Sequence, residues 1–194
     1  IIASAGVVGL AVGFGAQTIV KDIITGFFII FENQFDVGDY VKINSSGTTV
    51  AEGTVQSIGL RSMRINTITG ELTTLPNGSV GEITNYSVTN GESMVEIPVS
   101  VEEDIDKVEE ILVEHFETMR SKYYLFISNP EVIGINSITR DEITLWISAE
   151  TIPGEGFSGA RILRKEILKL FKKHEIQIPK PMMVQYDANQ QNNA

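Results

Sequence analysis

The chain has 194 residues, 42% of them hydrophobic, a formal net charge of −10 and no cysteine. The length admits one large domain or two to three small ones, and the missing cysteine excludes disulfides and thiolate metal sites. The acidic balance argues against a nucleic-acid partner, whose phosphates it would repel.

The charge is uneven, with 4 basic and 7 acidic side chains over residues 1–90 and 11 and 18 over the rest. Ile1 stands where an initiator methionine would, as expected of a fragment of a longer protein. Residues 1–20 carry no charge, and about 18 or more such residues are the signature of a membrane-spanning helix. A signal peptide fits poorly, because no basic segment and no cleavage-like site precede the apolar run. A buried soluble helix fits less well, because the run has no polar face.

The same stretch is thick with small residues. On a helical wheel of about 100° per residue, Ala5, Gly9, Gly13 and Ala16 fall on one flank, and Ser4, Ala11 and Gly15 on a second, nearly opposite. Val7, Leu10, Phe14 and Gln17 lie between the flanks, while Ile1, Val8, Val12 and Ile19 form the bulky outer side. Small residues let helices approach closely in lipid. One such flank suggests a dimer, whereas two suggest a neighbour on each side and a head-to-tail contact that closes into a ring. Leu10 and Phe14 then project toward the axis, where stacked apolar side chains exclude water and ions. Lys21-Asp22 interrupts the run and is costly at a bilayer centre. Residues 18–31 continue as helix, with Ile19, Ile23, Ile24, Phe27, Phe28 and Phe31 available for burial. A bend near Thr18 and a straight helix with Lys21 snorkelling to the interface both remain open.

From Phe35 the hydrophobic period becomes two. Strands are expected over 39–44, 49–57, 60–67 and 71–75, punctuated by glycines. LPNGSV is expected to supply a tight turn, with Pro76 fixing φ and Asn77-Gly78 tolerating a left-handed conformation. Short strands at this spacing fit a small barrel of the Sm or SH3-like kind. Such barrels often bind RNA, but here the barrel has only Lys42, Arg61 and Arg64 as basic residues, which does not support that use.

A strand over 94–101 follows, and Ser100 with Glu103 predicts a capping box. The helix it opens carries Ile105, Val108, Ile111, Leu112, Phe116 and Met119 on one face. Strands over 132–139 and 143–150, a helix over about 159–174 and a last strand in EIQIPKPMMVQY complete the order βαββαβ of a ferredoxin-like unit. The polar tail DANQQNNA is expected to be disordered. The expected domains are therefore 1–31, 32–92 and 93–187, with 188–194 as tail. The fold class is a membrane α-helix followed by an α+β soluble region.

Little in the chain suggests catalysis. GEGFSG, with Gly154, Gly156 and Gly159, matches a dinucleotide fingerprint, but too few strands follow for a Rossmann sheet. A flexible loop is expected there, and no nucleotide. Glu102, Glu103, Asp104 and Asp106 sit at a helix start, where carboxylates suit the dipole better than a metal. His115 and His174 have no partner at a telling spacing. The basic side chains from Arg161 to Lys173 are expected to solvate the second helix. No catalytic residue, metal or cofactor is expected.

GLAVGFGAQTIVKDIITGFFIIFENQFDVGDYV, AEGTVQSIGLRSMRI with LPNGSV, and EIQIPKPMMVQY, taken in this order, resemble the pore helix, middle β domain and α/β end of the small-conductance mechanosensitive channel family (MscS type). The resemblance implies a homoheptameric channel in an inner or plasma membrane, with further membrane helices upstream. It also implies a cytoplasmic vestibule with side openings, and release of ions and solutes in hypo-osmotic shock. It places the pore constriction on Leu10 and Phe14, helix packing on Gly9, Ala11, Gly13 and Gly15, a kink at Thr18 and a second flexible point at Gly26. Two departures bear on conductance and inactivation: Phe14 stands where the family has leucine, and Thr18 where its best-known members have glycine. The expected partners are membrane lipid and further copies of the chain. A membrane-anchored ring that never conducts is the rival reading.

Overall fold

A computed structural model describes the fold over residues 2–179, with the side chains of 6, 7 and 9–179. The chain divides into two compact units, 1–90 and 91–194.

The first unit opens with α1, Ile2–Phe31, helical without interruption through Thr18. The span Gly9–Phe31 is long and apolar enough to cross a membrane. An intrahelical hydrogen-bond ladder is what such a segment needs in lipid, where no water can satisfy the backbone. The helix stops where Asn33 turns left-handed, at φ 51°. Asn33 N–H then donates to the Ile30 carbonyl and Gln34 N–H to the Ile29 carbonyl, a Schellman closure.

Five antiparallel strands follow: β1 Tyr40–Ser45, β2 Thr48–Ile58, β3 Ser62–Asn66, β4 Leu72–Pro76 and β5 Glu82–Asn85. They lie in the order β4-β3-β2-β1-β5. Alternation buries Val41, Ile43, Val55, Met63 and Ile65 in one core, which Ile29 of α1 and Phe35 complete. The short β5 is an addition to the expected strands. Asn77–Ser79 is a turn of 3₁₀ helix rather than a left-handed turn. Its glycine is required by a neighbour, described below, and not by a positive φ.

The second unit contains β6 Gly91–Ser100, α2 Ile105–Phe116, the one-turn α3 Met119–Lys122, β7 Glu131–Ile138, β8 Glu142–Thr151 and α4 Gly156–Lys173. The antiparallel sheet runs β6-β8-β7. Val95, Ile97, Leu145 and Ile147 from one face of the sheet share a core with Val108 and Leu112 of α2 and Leu163 and Ile167 of α4. Ser100 does not cap α2. It still pairs with Glu142 as the last residue of β6, and the cap is Asp104, whose side chain accepts from Lys107 N–H. Glu103 turns elsewhere and accepts from Gln177 N–H. Ser100 N–H donates to the Gln177 carbonyl, so the chain returns beside β6. The remainder of the last expected strand and the polar tail lie outside the described residues.

Candidate functional site

The two halves of α1 meet different surroundings. In the first half, a Cβ built on Gly6, Gly9, Gly13 or Gly15 would touch nothing within 4 Å. The glycines therefore answer no packing need within the chain. Leu10 and Phe14 are 65% and 74% exposed, and with Gly9, Gly13 and Gln17 they line one open groove of ≈ 300 Å³. Ala11, Val12 and Thr18 are also exposed. Ile1, Ser4, Ala5 and Val8 of the helical wheel lie outside the described side chains.

The second half is held by the β module. Asp22, 5% exposed, accepts from Gly78 N–H at 2.9 Å. Its other oxygen lies 3.4 Å from Arg61 Nε. Asn77 donates from its side chain to the Gly59 and Leu60 carbonyls, both at 2.9 Å. A Cβ on Gly26 would run into the Asn77 side chain and the Leu60 carbonyl, and one on Gly78 would meet Asp22 Oδ1. Both glycines are thus demanded by close approach.

Ile19, Ile23, Ile24, Phe27, Phe28 and Phe31, the side chains available for burial, are exposed within the chain. The covered positions are Asp22, Gly26 and Ile29. The polar pair Lys21-Asp22 thus reads differently: Asp22 is a buried anchor supplied with a backbone donor and a guanidinium, and only Lys21 faces outward. The signal was available in the one acid set inside an apolar run. Its partners, 39 and 56 residues away, were not.

The glycines of GEGFSG also acquire a structural role. Gly156 and Gly159 belong to α4 rather than to a loop, and the Gly156 carbonyl accepts from Ser93 Oγ at 2.7 Å. A Cβ on Gly159 would collide with Ser93 and Thr151. The sheet below is antiparallel, which is not the frame of a dinucleotide site.

One further polar cluster is internal to the second unit. Glu166, 2% exposed, accepts from Lys122 Nζ at 2.6 Å, Lys169 Nζ at 2.7 Å and the Tyr123 hydroxyl at 2.9 Å. Burial raises its pKa, but the three donors together outweigh burial and hold the carboxyl down at about 2. The cluster pins α3 to α4. Among the described residues no group of three or more metal-ligating acids or histidines occurs.

Comparison with known proteins gives a consistent family. The model of the mechanosensitive ion channel β-domain matches residues 18–88. A small-conductance mechanosensitive channel of Caldanaerobacter subterraneus subsp. tengcongensis is 38% identical over 93% of the chain and 62% of its own length. The moderate conductance mechanosensitive channel YbiO of Escherichia coli is 32% identical over 92% of the chain and 24% of its own length. The chain therefore spans less than two thirds of the length of each of these relatives. The closed-state crystal structure of Helicobacter pylori MscS superposes with a TM-score of 0.80 at 24% identity, covering 97% of the chain and 73% of that protein. That likeness carries the fold: an N-terminal apolar helix followed by a β-rich region.

Proposed function

Because the chain belongs to the MscS-type mechanosensitive channel family, we propose that it forms the pore and soluble part of an ion channel opened by membrane tension. Opening releases ions and small solutes on hypo-osmotic shock. The observation that carries this reading is the helix half with glycines facing open space on either side of an apolar groove lined by Leu10 and Phe14. Neighbouring copies of α1 fill the space beside Gly9, Ala11, Gly13 and Gly15, and the ring so formed turns Leu10 and Phe14 to its axis. A narrow apolar ring closes a pore by making its hydration unfavourable.

The rest of the proposal follows the same family. The assembly is a homoheptamer in a cell membrane, inner or plasma, in contact with lipid and multi-pass in the full protein, with its soluble modules in the cytoplasm. Residues 1–31 are the pore helix, 32–92 the middle β domain, 93–187 the α/β domain and 188–194 the tail. The order β4-β3-β2-β1-β5 supports an Sm or SH3-like barrel. The order β6-β8-β7 with Gln177 returning beside β6 supports a ferredoxin-like unit.

Thr18 and Gly26 are the proposed points of flexure. The anchor between Asp22 and Gly78 then makes the β module follow the second half of α1 when the helix moves. Currents from membrane patches under graded suction test the reading. A current that rises with tension supports it, and a ring that stays silent at every tension leaves only the non-conducting scaffold.

A further inference from the structure

The second unit carries opposite charges on its open sheet face and on helix α4. Alternation places Glu92, Met94 and Glu96 of β6 and Trp146 and Glu150 of β8 on the side of the sheet away from the helices, because their neighbours Val95, Ile97, Leu145, Ile147 and Ala149 enter the core. Glu131 pairs with Ser148 and Glu142 with Ser100 on that same side. No lysine or arginine occurs in the three strands. Among the described residues Glu92, Glu96, Glu131 and Glu142 make no ion pair. Trp146 Nε1 donates to Glu96 Oε1 at 2.9 Å and the side chain is half-buried, with the exposed Met94 nearby on β6.

Helix α4 presents the complement. The one acid of α4, Glu166, is buried and consumed by Lys122 and Lys169. What α4 exposes is Arg161, Arg164, Lys165, Lys172 and Lys173 around the apolar Leu168. None of these cations has an ion-pair partner among the described residues. An apolar spot rimmed by cations thus lies on one side of the layer pair, and an apolar spot rimmed by carboxylates on the other.

We infer that the α4 face of one copy docks on the sheet face of the next copy of this chain. Like charges crowded on one face repel, and the arrangement that relieves both faces at once is to bring them together. A contact between two different faces is heterologous and closes into a ring when the rotation allows. The acidic α2 also offers carboxylates, but it lies in the same layer as α4, so its use would be a side-to-side contact. The inference rests on the self-association in the proposed function and adds the surface that mediates it.

The test uses the full chain, which has no native cysteine, carrying Met94→Cys and Leu168→Cys. Within one copy the sheet and the helix layer separate these positions, so a disulfide forms only between copies. Mild oxidation at low salt is expected to give a ladder of linked species, falling several-fold at 1 M salt, where the Debye length is about 3 Å. Arg161→Glu, Lys165→Glu and Lys172→Glu together are expected to reduce the ladder about tenfold. Adding Glu92→Lys, Glu131→Lys and Glu150→Lys is expected to restore it, which separates lost docking from lost folding. Linkage of Leu168→Cys to Val113→Cys on α2 in place of Met94→Cys would overturn the inference. So would a closed oligomer of normal mass with no ladder, which leaves the proposed function standing. A monomer overturns both.

Discussion

The first and second halves of α1 share one unbroken helix, the first rich in glycine and the second in isoleucine, yet their glycines do opposite work. Gly26 sits where any side chain would strike the Asn77 amide and the Leu60 carbonyl. Gly9 and Gly13 face open space. A glycine in a helix costs about 1 kcal/mol relative to alanine, and nothing within the chain offsets that cost in the first half. The difference teaches where each half is completed. The second half is finished by its own β module, and nothing among the described residues finishes the first.

The comparison can be broken at Gly26 first, where the largest effect is expected. Gly26→Val places its side chain against backbone that cannot yield, so a loss of about 3 kcal/mol is expected, read as a fall of roughly 6–12 °C in thermal midpoint. Gly13→Leu has no such collision and removes the helical cost of glycine, so it should leave that midpoint unchanged or raise it by about 2–4 °C. It should instead disturb the packing of α1 against other copies and change the opening tension. Equal loss of thermal stability in both variants contradicts the distinction.

Asp22 sharpens it. Asp22→Ala leaves the Gly78 N–H buried without an acceptor, for an expected loss of about 1–3 kcal/mol. Asp22→Asn keeps an acceptor and gives up only the half-solvated Arg61, and should retain most of that stability. Chemical denaturation of the three forms side by side checks the order.

The same contrast recurs between two glycines of α4, with a smaller span. Gly159→Ala collides with Ser93 and Thr151, whereas Gly156→Ala meets only ordinary contacts at 3.5 Å or beyond. The first should lower the thermal midpoint and the second should be tolerated. Neither should reveal saturable heat on titration with NAD or ATP, because these glycines seat a helix. Binding abolished by Gly156→Ala would reverse that account.

The last effect expected is in acid and belongs to the second unit alone. The Glu166 carboxyl sits at about 2 in the folded chain, below its ordinary value near 4.5. Its contribution is complete above pH 4.5 and is lost as pH falls toward 2. Glu166→Gln should flatten this part of the pH–stability profile while lowering stability at pH 7. An unchanged acid limb contradicts the assigned hydrogen bonds.

Periodicity carried most of the fold. The charge-free run, the alternation after Phe35 and the apolar faces of α2 and α4 are local patterns, and local patterns are legible. The misses share a cause, which is that sequence marks a face as apolar without naming what covers it. Ile23, Phe27 and Phe31 are therefore legible as an apolar face, and that face stays uncovered within the chain. The covered side of the second half of α1 is led by an acid, whose partners lie dozens of residues downstream. β5 is four residues of mixed polarity, too short for a period of two to declare itself. Ser100 and Glu103 had the spacing of a capping box, but sheet pairing and Gln177 claimed them first. The groove at Leu10 and Phe14 was legible because both lie one turn apart on a single helix, the shortest range at which a site can be built.

The central claim is that the first half of α1 is one wall of a pore, closed by Leu10 and Phe14. It is tested most directly by comparing Leu10→Ser, Phe14→Ser and Val12→Ser in membrane patches under graded suction. The account predicts that either inner-face change wets the constriction, lowers the opening tension and leaves cells leaking, while Val12→Ser stays tight. A leak from Val12→Ser with both inner-face variants tight would contradict it and place the gate on another side of the helix.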